Sequence, residues 1–274
     1  MKIKTVKKRT MAIGFAIVFT VLAFLLAGCQ KERAHIEIDF SGAAGWKYRI
    51  SANITGIPAK DSSEERHSGS LMAFLQGLPT ETVGEQFRAG LADVNLNAPF
   101  MPEDEREEIL RRLSKLVVSV SDDGVALSDT VGIPGVYSGA WDILRSPARA
   151  IPAIPNAVMS VGSSWEREQR FPIAVAGGEA EGYLYQFYTL DSLYKNTDGV
   201  SAADISWMFT YRVAMAEDGD RRSLRFPLDG SGHGSAVIDL DRKKLIKSQA
   251  SFQITHSGLG DADINEIIHF EAVE

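Results

Sequence analysis

The chain has a single cysteine, Cys29, among its 274 residues. No disulfide can form within one such chain, which excludes covalent cross-links as a source of stability. The 246 residues that follow position 28 are enough to bury roughly 70 % of the surface of the unfolded chain. A core can therefore form without a cross-link, and the cysteine is left for another role.

Positive charge is scarce after residue 28. Without the five cations of residues 1–28, 24 basic residues oppose 36 acidic ones, a net charge of about −12. An acidic surface disfavours nucleic acid and broad adhesion to anionic lipid headgroups. We therefore expect no nucleic-acid partner.

Motifs for metal and nucleotide binding are missing as well. No two of the five histidines have the H-x-x-x-H spacing of zinc ligands, although His256 and His269 could meet across adjacent strands. There is no Walker loop and no G-x-G-x-x-G. Asp261, Asp263 and Asn265 alternate like the start of a calcium loop, but its glycine and its final glutamate are absent. We expect no metal and no cofactor, and a turn at 261–265.

Serine motifs do not indicate a hydrolase. Ser231, in the glycine-rich stretch 230–234, stands one position too early for a nucleophile elbow, and the stretch is predicted to be a turn. Ser192 and Lys195 match S-x-x-K, but in a strand their side chains point to opposite faces. We expect no catalytic residue and no enzymatic activity.

The first 29 residues have the pattern of a secretory signal. Residues 2–9 carry five cations and no acid, and residues 11–28 form an uncharged apolar run. A run of about 18 residues is also just long enough for a transmembrane anchor, which is the alternative interpretation. The small residues before Cys29 favour the signal.

Leu26, Ala27, Gly28 and Cys29 resemble the lipobox of bacterial lipoproteins. The resemblance implies that the Cys29 thiol receives a diacylglyceryl group, that the signal is cut before Cys29, and that its new amine is acylated. The acyl chains added in these steps, palmitate among them, would anchor the protein in a membrane. Gln30 rather than aspartate after the cysteine implies outer-membrane delivery, facing the periplasm.

The remaining chain divides by composition into a tether and two halves. We predict a signal peptide at 1–28, a lipidated tether at 29–35, a first β-rich half at 36–130, a Pro/Gly-rich connection at 131–164 and a second β-rich half at 165–274. Whether the halves form one sheet system or two domains is left open.

Period-two alternation dominates both halves and predicts a mainly β, β-rich α+β fold of antiparallel sheets or open half-barrels. Residues 58–68 are predicted to be a polar break, and residues 118–125 a hairpin. One helix is predicted near 102–115, with acids in its first turn and cations in its last. Trp46 and Trp165, and the stretches 118–125 and 238–245, recur at offsets of about 120 residues, so the halves are interpreted as a possible duplication.

Aromatic side chains alternate on two strands of the second half. One face of the first strand carries Tyr183, Tyr185 and Phe187, and one face of the second carries Trp207, Phe209 and Tyr211. A sheet covered on both sides explains this pattern; the sharper hypothesis is that these six residues line an apolar wall for an acyl chain.

The stretches 151–155 and 161–165 resemble a group of β-rich bacterial lipoproteins of about this size, and this resemblance implies no activity. We expect a membrane-anchored envelope lipoprotein with a non-enzymatic binding or structural role and a lipid or envelope protein as partner. The alternative is a lipid or lipoprotein carrier or acceptor, similar in architecture to the LolA/LolB kind, with an apolar half-barrel pocket.

Overall fold

The computed structural model describes residues 32–39, 47–59, 62–77, 87–115, 117–121, 124–125, 137–138, 141–142, 150–155, 157–175, 178–215, 228–256 and 262–273. Trp46, Cys29 and residues 26–28 lie outside these ranges. Residues Ala34–Glu274 belong to one compact unit.

Nine strands and one helix precede residue 164 in the described ranges. These are β1 (Arg33–Ile36), β2 (Lys47–Ala59), β3 (Ser62–Gly77), β4 (Phe87–Asn97), α1 (Glu103–Leu113), β5 (Val117–Ser121), β6 (Gly124–Val125), β7 (Tyr137–Ser138), β8 (Trp141–Asp142) and β9 (Ala157–Ser160).

Six long strands follow. These are β10 (Ser164–Val175), β11 (Gly178–Lys195), β12 (Ser201–Met215), β13 (Leu228–Asp239), β14 (Lys244–His256) and β15 (Ala262–Val273).

Eleven of the strands form one antiparallel sheet in the order β10-β11-β12-β13-β14-β15-β2-β3-β4-β5-β6. Each strand pairs with its neighbour in the chain except at one place, where the last strand, β15, pairs with β2. The order ends at β10 and β6, so the sheet is open. The mainly β prediction is confirmed, and both halves contribute to one sheet. Two small sheets, β1-β9 and β7-β8, accompany it.

The sheet has an inner face, defined by its buried side chains, and an outer face. On β2 the inner residues Tyr48, Ile50, Ala52 and Ile54 are buried, as the alternation predicts. The inner residues join one hydrophobic core that also includes Ile36 of β1. Because each strand buries only alternate residues, the residues between them lie on the outer face.

Helix α1 is the predicted helix. Pro102 precedes it, three acids occupy its first turn, and Ile109 and Leu113 are buried. Glu108 accepts hydrogen bonds from the Nε atoms of Arg111 at 2.8 Å and Arg112 at 2.6 Å. These hydrogen bonds lower the pKa of the Glu108 carboxyl below its ordinary value.

Four local predictions are wrong. The polar break at 58–68 belongs mostly to β2 and β3, which remain paired there. The predicted turn at 230–234 lies inside β13. Asp263 and Asn265 lie in β15 rather than in a turn, while Asp261 is outside the described residues. The predicted tether at 29–35 extends too far, since β1 begins at Arg33 and pairs with β9. In each case pairing with a neighbouring strand outweighs local composition.

The predicted hairpin at 118–125 is present, since Val120 pairs with Val125. In the matching stretch 238–245, Ile238 pairs with Leu245 in the same way. The duplication itself stays a prediction.

Candidate functional site

The six aromatic residues predicted to form one wall lie on opposite faces of the sheet. Tyr185 and Phe187 point outward, 41 % and 40 % exposed, and Tyr183 alternates with them on β11. Trp207, Phe209 and Tyr211 point inward and are each 2 % exposed. The register explains the split, because Trp207 is opposite Tyr188 rather than Phe187. Each triplet shares a face as predicted, but together they form no continuous wall.

The inner triplet belongs to a stacked aromatic core. The Tyr188 ring stacks on Trp165 with 5.4 Å between the ring centroids and lies 5.7 Å from Trp207. Phe252 of β14 stacks on Phe209 at 5.4 Å and meets Tyr211 edge-on. These contacts join β10, β11 and β12, and they reach across β13 to β14 on the inner face.

Strand β13 makes room for these rings. Gly230, Gly232 and Gly234 face inward, and a Cβ at each would overlap an aromatic ring, that of Phe252, Phe209 or Trp207 respectively. Glycine in a strand marks such close approach. The glycine-rich stretch is therefore a strand segment whose backbone lies in direct contact with aromatic side chains.

Residues 150–155 form a crossing segment that is attached to the inner face. Its backbone amide at Ala153 donates to the Tyr188 hydroxyl at 3.2 Å, and its carbonyl there accepts from Trp165 Nε1 at 2.7 Å. Ser248 Oγ donates to the Ala150 carbonyl. Because Tyr188 is on β11 and Ser248 on β14, the crossing segment covers the aromatic core between those strands.

Polar groups are rare on the inner face. Gln186, Ser248 and Glu266 are buried there. Burial raises the pKa of Tyr188 to about 12, and the hydrogen bond from the Ala153 amide opposes the shift. In the described part of the chain, Trp207 Nε1 is a buried donor without an acceptor. An unmet donor of this kind costs about 1–3 kcal/mol.

The outer face carries a surface that the sequence did not reveal. Three rows of directly paired outward residues run from β11 to β3 or β4, and none contains a lysine, arginine, aspartate or glutamate. On β10 the residues paired with Phe187 and Tyr185 are Glu166 and Glu168, so the uncharged rows end at β11. We call these rows the uncharged belt. The first row is Thr189, Ser206, Ser235, Gln249, His269, Ser51, Met72 and Asn95; the second is Phe187, Met208, His233, Ser251, Ile267, Asn53, Ser70 and Asn97; the third is Tyr185, Thr210, Ser231, Gln253, Asn265, Thr55 and Ser68.

Charged rows border the uncharged belt on both sides. On one side Lys247, Glu271 and Arg49 are paired in succession. On the other, Arg212 is opposite Asp229. At the β10 side, the Tyr185 hydroxyl donates to the Glu166 carboxylate, and this hydrogen bond raises the pKa of Tyr185. The uncharged belt is thus a bounded zone of the outer face.

Two depressions lie within the uncharged belt. One of about 470 Å³ is lined among others by Phe187, Met208, His233 and Gln249. Another of about 560 Å³ is lined among others by Asn53, Met72, Asn95 and Asn97. Both are shallow and contain no charged residue in their lining. They offer hydroxyl, amide and apolar groups to a partner.

The histidines are dispersed over the described strands. His256 is opposite Ala262 and His269 is opposite Gln249, so the two do not meet. His233 lies in β13, and His67, in β3, stacks on Phe100 at 5.4 Å. Among the described residues no three His, Cys, Asp or Glu side chains are grouped as a metal site. Within the same ranges, no helix combines the length and apolar character needed to cross a membrane.

Comparisons with known proteins give no family. No family model matches the chain, and no curated protein matches it. Among solved structures, a triple mutant of the Rh. blastica porin aligns at 10 % identity over 83 % of this chain and 98 % of that chain, with a TM-score of 0.19. At so low a TM-score the similarity carries no argument about fold or function.

Proposed function

We propose that this chain is a lipid-anchored envelope lipoprotein that acts without enzymatic chemistry, by binding a partner on the outer face of its sheet. The anchor would be Cys29, at the end of the lipobox-like residues 26–29. The observation that carries the binding role is the uncharged belt. About one residue in four of the chain is charged, so a surface of this size would ordinarily hold five or six charges.

The lack of charge in the uncharged belt has a physical consequence. Surfaces that only face water are kept soluble by interspersed charges of both signs. Covering a charge costs its hydration, whereas hydroxyl and amide groups can exchange water for partner hydrogen bonds at little cost. The uncharged belt therefore suits a surface that becomes covered.

The anchor is tested by expressing the full chain and a Cys29→Ala variant in bacteria fed an alkyne-labelled fatty acid. We expect the label on the wild-type protein, a mass that begins at Cys29, and no label on the variant. Acylation is the readout because an uncleaved signal can itself retain the variant in a membrane. An unlabelled wild-type protein would overturn the proposal.

The position of the anchor is tested by Gln30→Asp. If the protein is delivered to the outer membrane, density-gradient separation should find the wild-type protein with outer membranes and the Gln30→Asp variant with inner membranes. Identical fractionation of both proteins would contradict the role given to Gln30.

A second candidate, a lipid or lipoprotein carrier or acceptor, is favoured by Trp207. Its unmet Nε1 donor lies in an apolar interior, where an acyl ester carbonyl could accept its hydrogen bond. Native mass spectrometry of residues 30–274 tests this candidate. A stoichiometric lipid that is lost on Trp207→Phe supports it, and a lipid-free mass after incubation with phospholipid rules against it.

A further inference from the structure

We infer that the uncharged belt binds a neutral glycan chain, an inference that rests on the proposed binding role. The belt crosses eight strands, from β11 to β4. At strand and residue spacings of about 4.8 and 3.4 Å it measures roughly 34 Å by 14 Å. This shape fits an extended chain of several sugar rings.

The polar groups of the uncharged belt match the groups of a sugar. Ser, Thr, Asn and Gln side chains supply both donors and acceptors, as a sugar hydroxyl or an N-acetyl amide requires. Around the depression of about 470 Å³, Ser235 lies on β13, and Gln249 and Ser251 lie on the adjacent strand β14. Adjacent strands present these groups at a repeat of about 4.8 Å, so one extended chain can be contacted by several of them.

Two aromatic rings flank the β11 end of the uncharged belt. Tyr185 and Phe187 alternate on one strand and are about two-fifths exposed. An exposed ring offers a flat, electron-rich face to the C–H side of a sugar ring. Tyr185 is also held by its hydrogen bond to Glu166, which limits its freedom before any ligand binds.

Other partners fit the uncharged belt less well. Anionic or cationic polymers would find no opposite charge in the three rows. A lipid would leave the many hydroxyl and amide groups unpaired. A protein interface concentrates Trp, Tyr or Arg anchors at its centre, whereas the large apolar residues Met208, Ile267 and Met72 are separated along the belt.

The test is calorimetric titration of the mature lipoprotein, held in a non-glycosidic detergent, with cellohexaose and chitohexaose. We expect saturable binding of at least one of them, and its preference distinguishes hydroxyl recognition from N-acetyl recognition. Phe187→Ala and Gln249→Glu should each weaken binding at least tenfold. Lys247→Ala, on the same face but outside the uncharged belt, is the matched control and should bind as the wild type does.

Absence of saturable binding to both sugars would overturn the inference, and so would unchanged binding by both belt variants. A doubled mass that Gln249→Glu reverts to a monomer would identify a second copy of the chain as the occupant and would also overturn it. None of these results affects the acylation of Cys29, so the anchor proposal stands or fails separately.

Discussion

The indole ring of Trp207 lies over Gly234, the residue directly opposite it on the neighbouring strand. A methyl group at position 234 would overlap the ring, which is itself buried against Tyr188. Where a strand has room, Gly→Ala stabilises a protein by about 0.4–1 kcal/mol. Here the indole ring occupies that space, so we expect alanine at position 234 to destabilise the protein.

We expect Gly234→Ala to lower the free energy of unfolding by about 1–3 kcal/mol, the usual cost of overpacking. Urea denaturation measures the change. Ser235→Ala, one residue away on the outer face, is the control and should change stability by less than about 0.5 kcal/mol. An alanine at 234 that stabilises the protein would show that the ring does not lie where it is described.

Tyr188→Phe should loosen the crossing segment. The substitution removes the hydroxyl that accepts the Ala153 amide hydrogen bond, and an unmet buried amide costs about 1–3 kcal/mol. Hydrogen exchange should become faster across residues 150–155. Tyr185→Phe, on the outer face of the same strand, should leave that exchange unchanged. Equal exchange rates at residues 150–155 in the two variants would show that the Tyr188 hydroxyl does not hold the crossing segment in place.

Glu166→Gln should lower the pKa of Tyr185 towards the ordinary value of 10.0. A carboxylate that accepts the phenol hydrogen bond stabilises the protonated phenol and repels the phenolate. A pH titration followed by tyrosinate absorbance measures the shift, and Tyr185→Phe identifies which part of the signal belongs to this residue. Coincident titrations of wild type and Glu166→Gln would contradict the hydrogen bond.

Alkaline pH should destabilise the fold through Tyr188. Its folded pKa of about 12 exceeds its ordinary value of 10.0, so the unfolded chain releases this proton first. The stabilisation is complete below pH 10 and is lost as pH rises towards 12, on the order of 3 kcal/mol. Urea denaturation at a series of pH values should show this decline, and Tyr188→Phe should reduce its slope. Equal slopes in both proteins would exclude Tyr188 as the source.

The residue patterns predicted most strands and the helix correctly. They gave a wrong prediction where a strand is rich in residues that usually form turns. Alternation correctly assigned Tyr183, Tyr185 and Phe187 to one face, and charge placement located helix α1. Gly230–Gly234 was predicted to be a turn because glycine usually marks one. It is a strand because Trp207, Phe209 and Phe252 pack on its bare backbone, a contact between residues that are distant in sequence.

The uncharged belt could not be predicted from the sequence for a related reason. Each strand contributes only two or three of its residues, and none of these short sets is unusual by itself. Only the register brings them into rows, for example by placing Ile267 between Ser251 and Asn53. Pairing over such sequence separations is decided by the global packing of the sheet.

By itself the sequence determined that no disulfide forms in one chain, that strands dominate, and which residues of each strand share a face. These follow from the residue count and from the two-residue period of a strand. Only the tertiary structure decided that β15 pairs with β2, so that both halves share one sheet and the uncharged belt runs across it. Alternation specifies the faces of a strand but not its neighbours, because neighbours are selected by long-range hydrogen bonding and by burial of a common core.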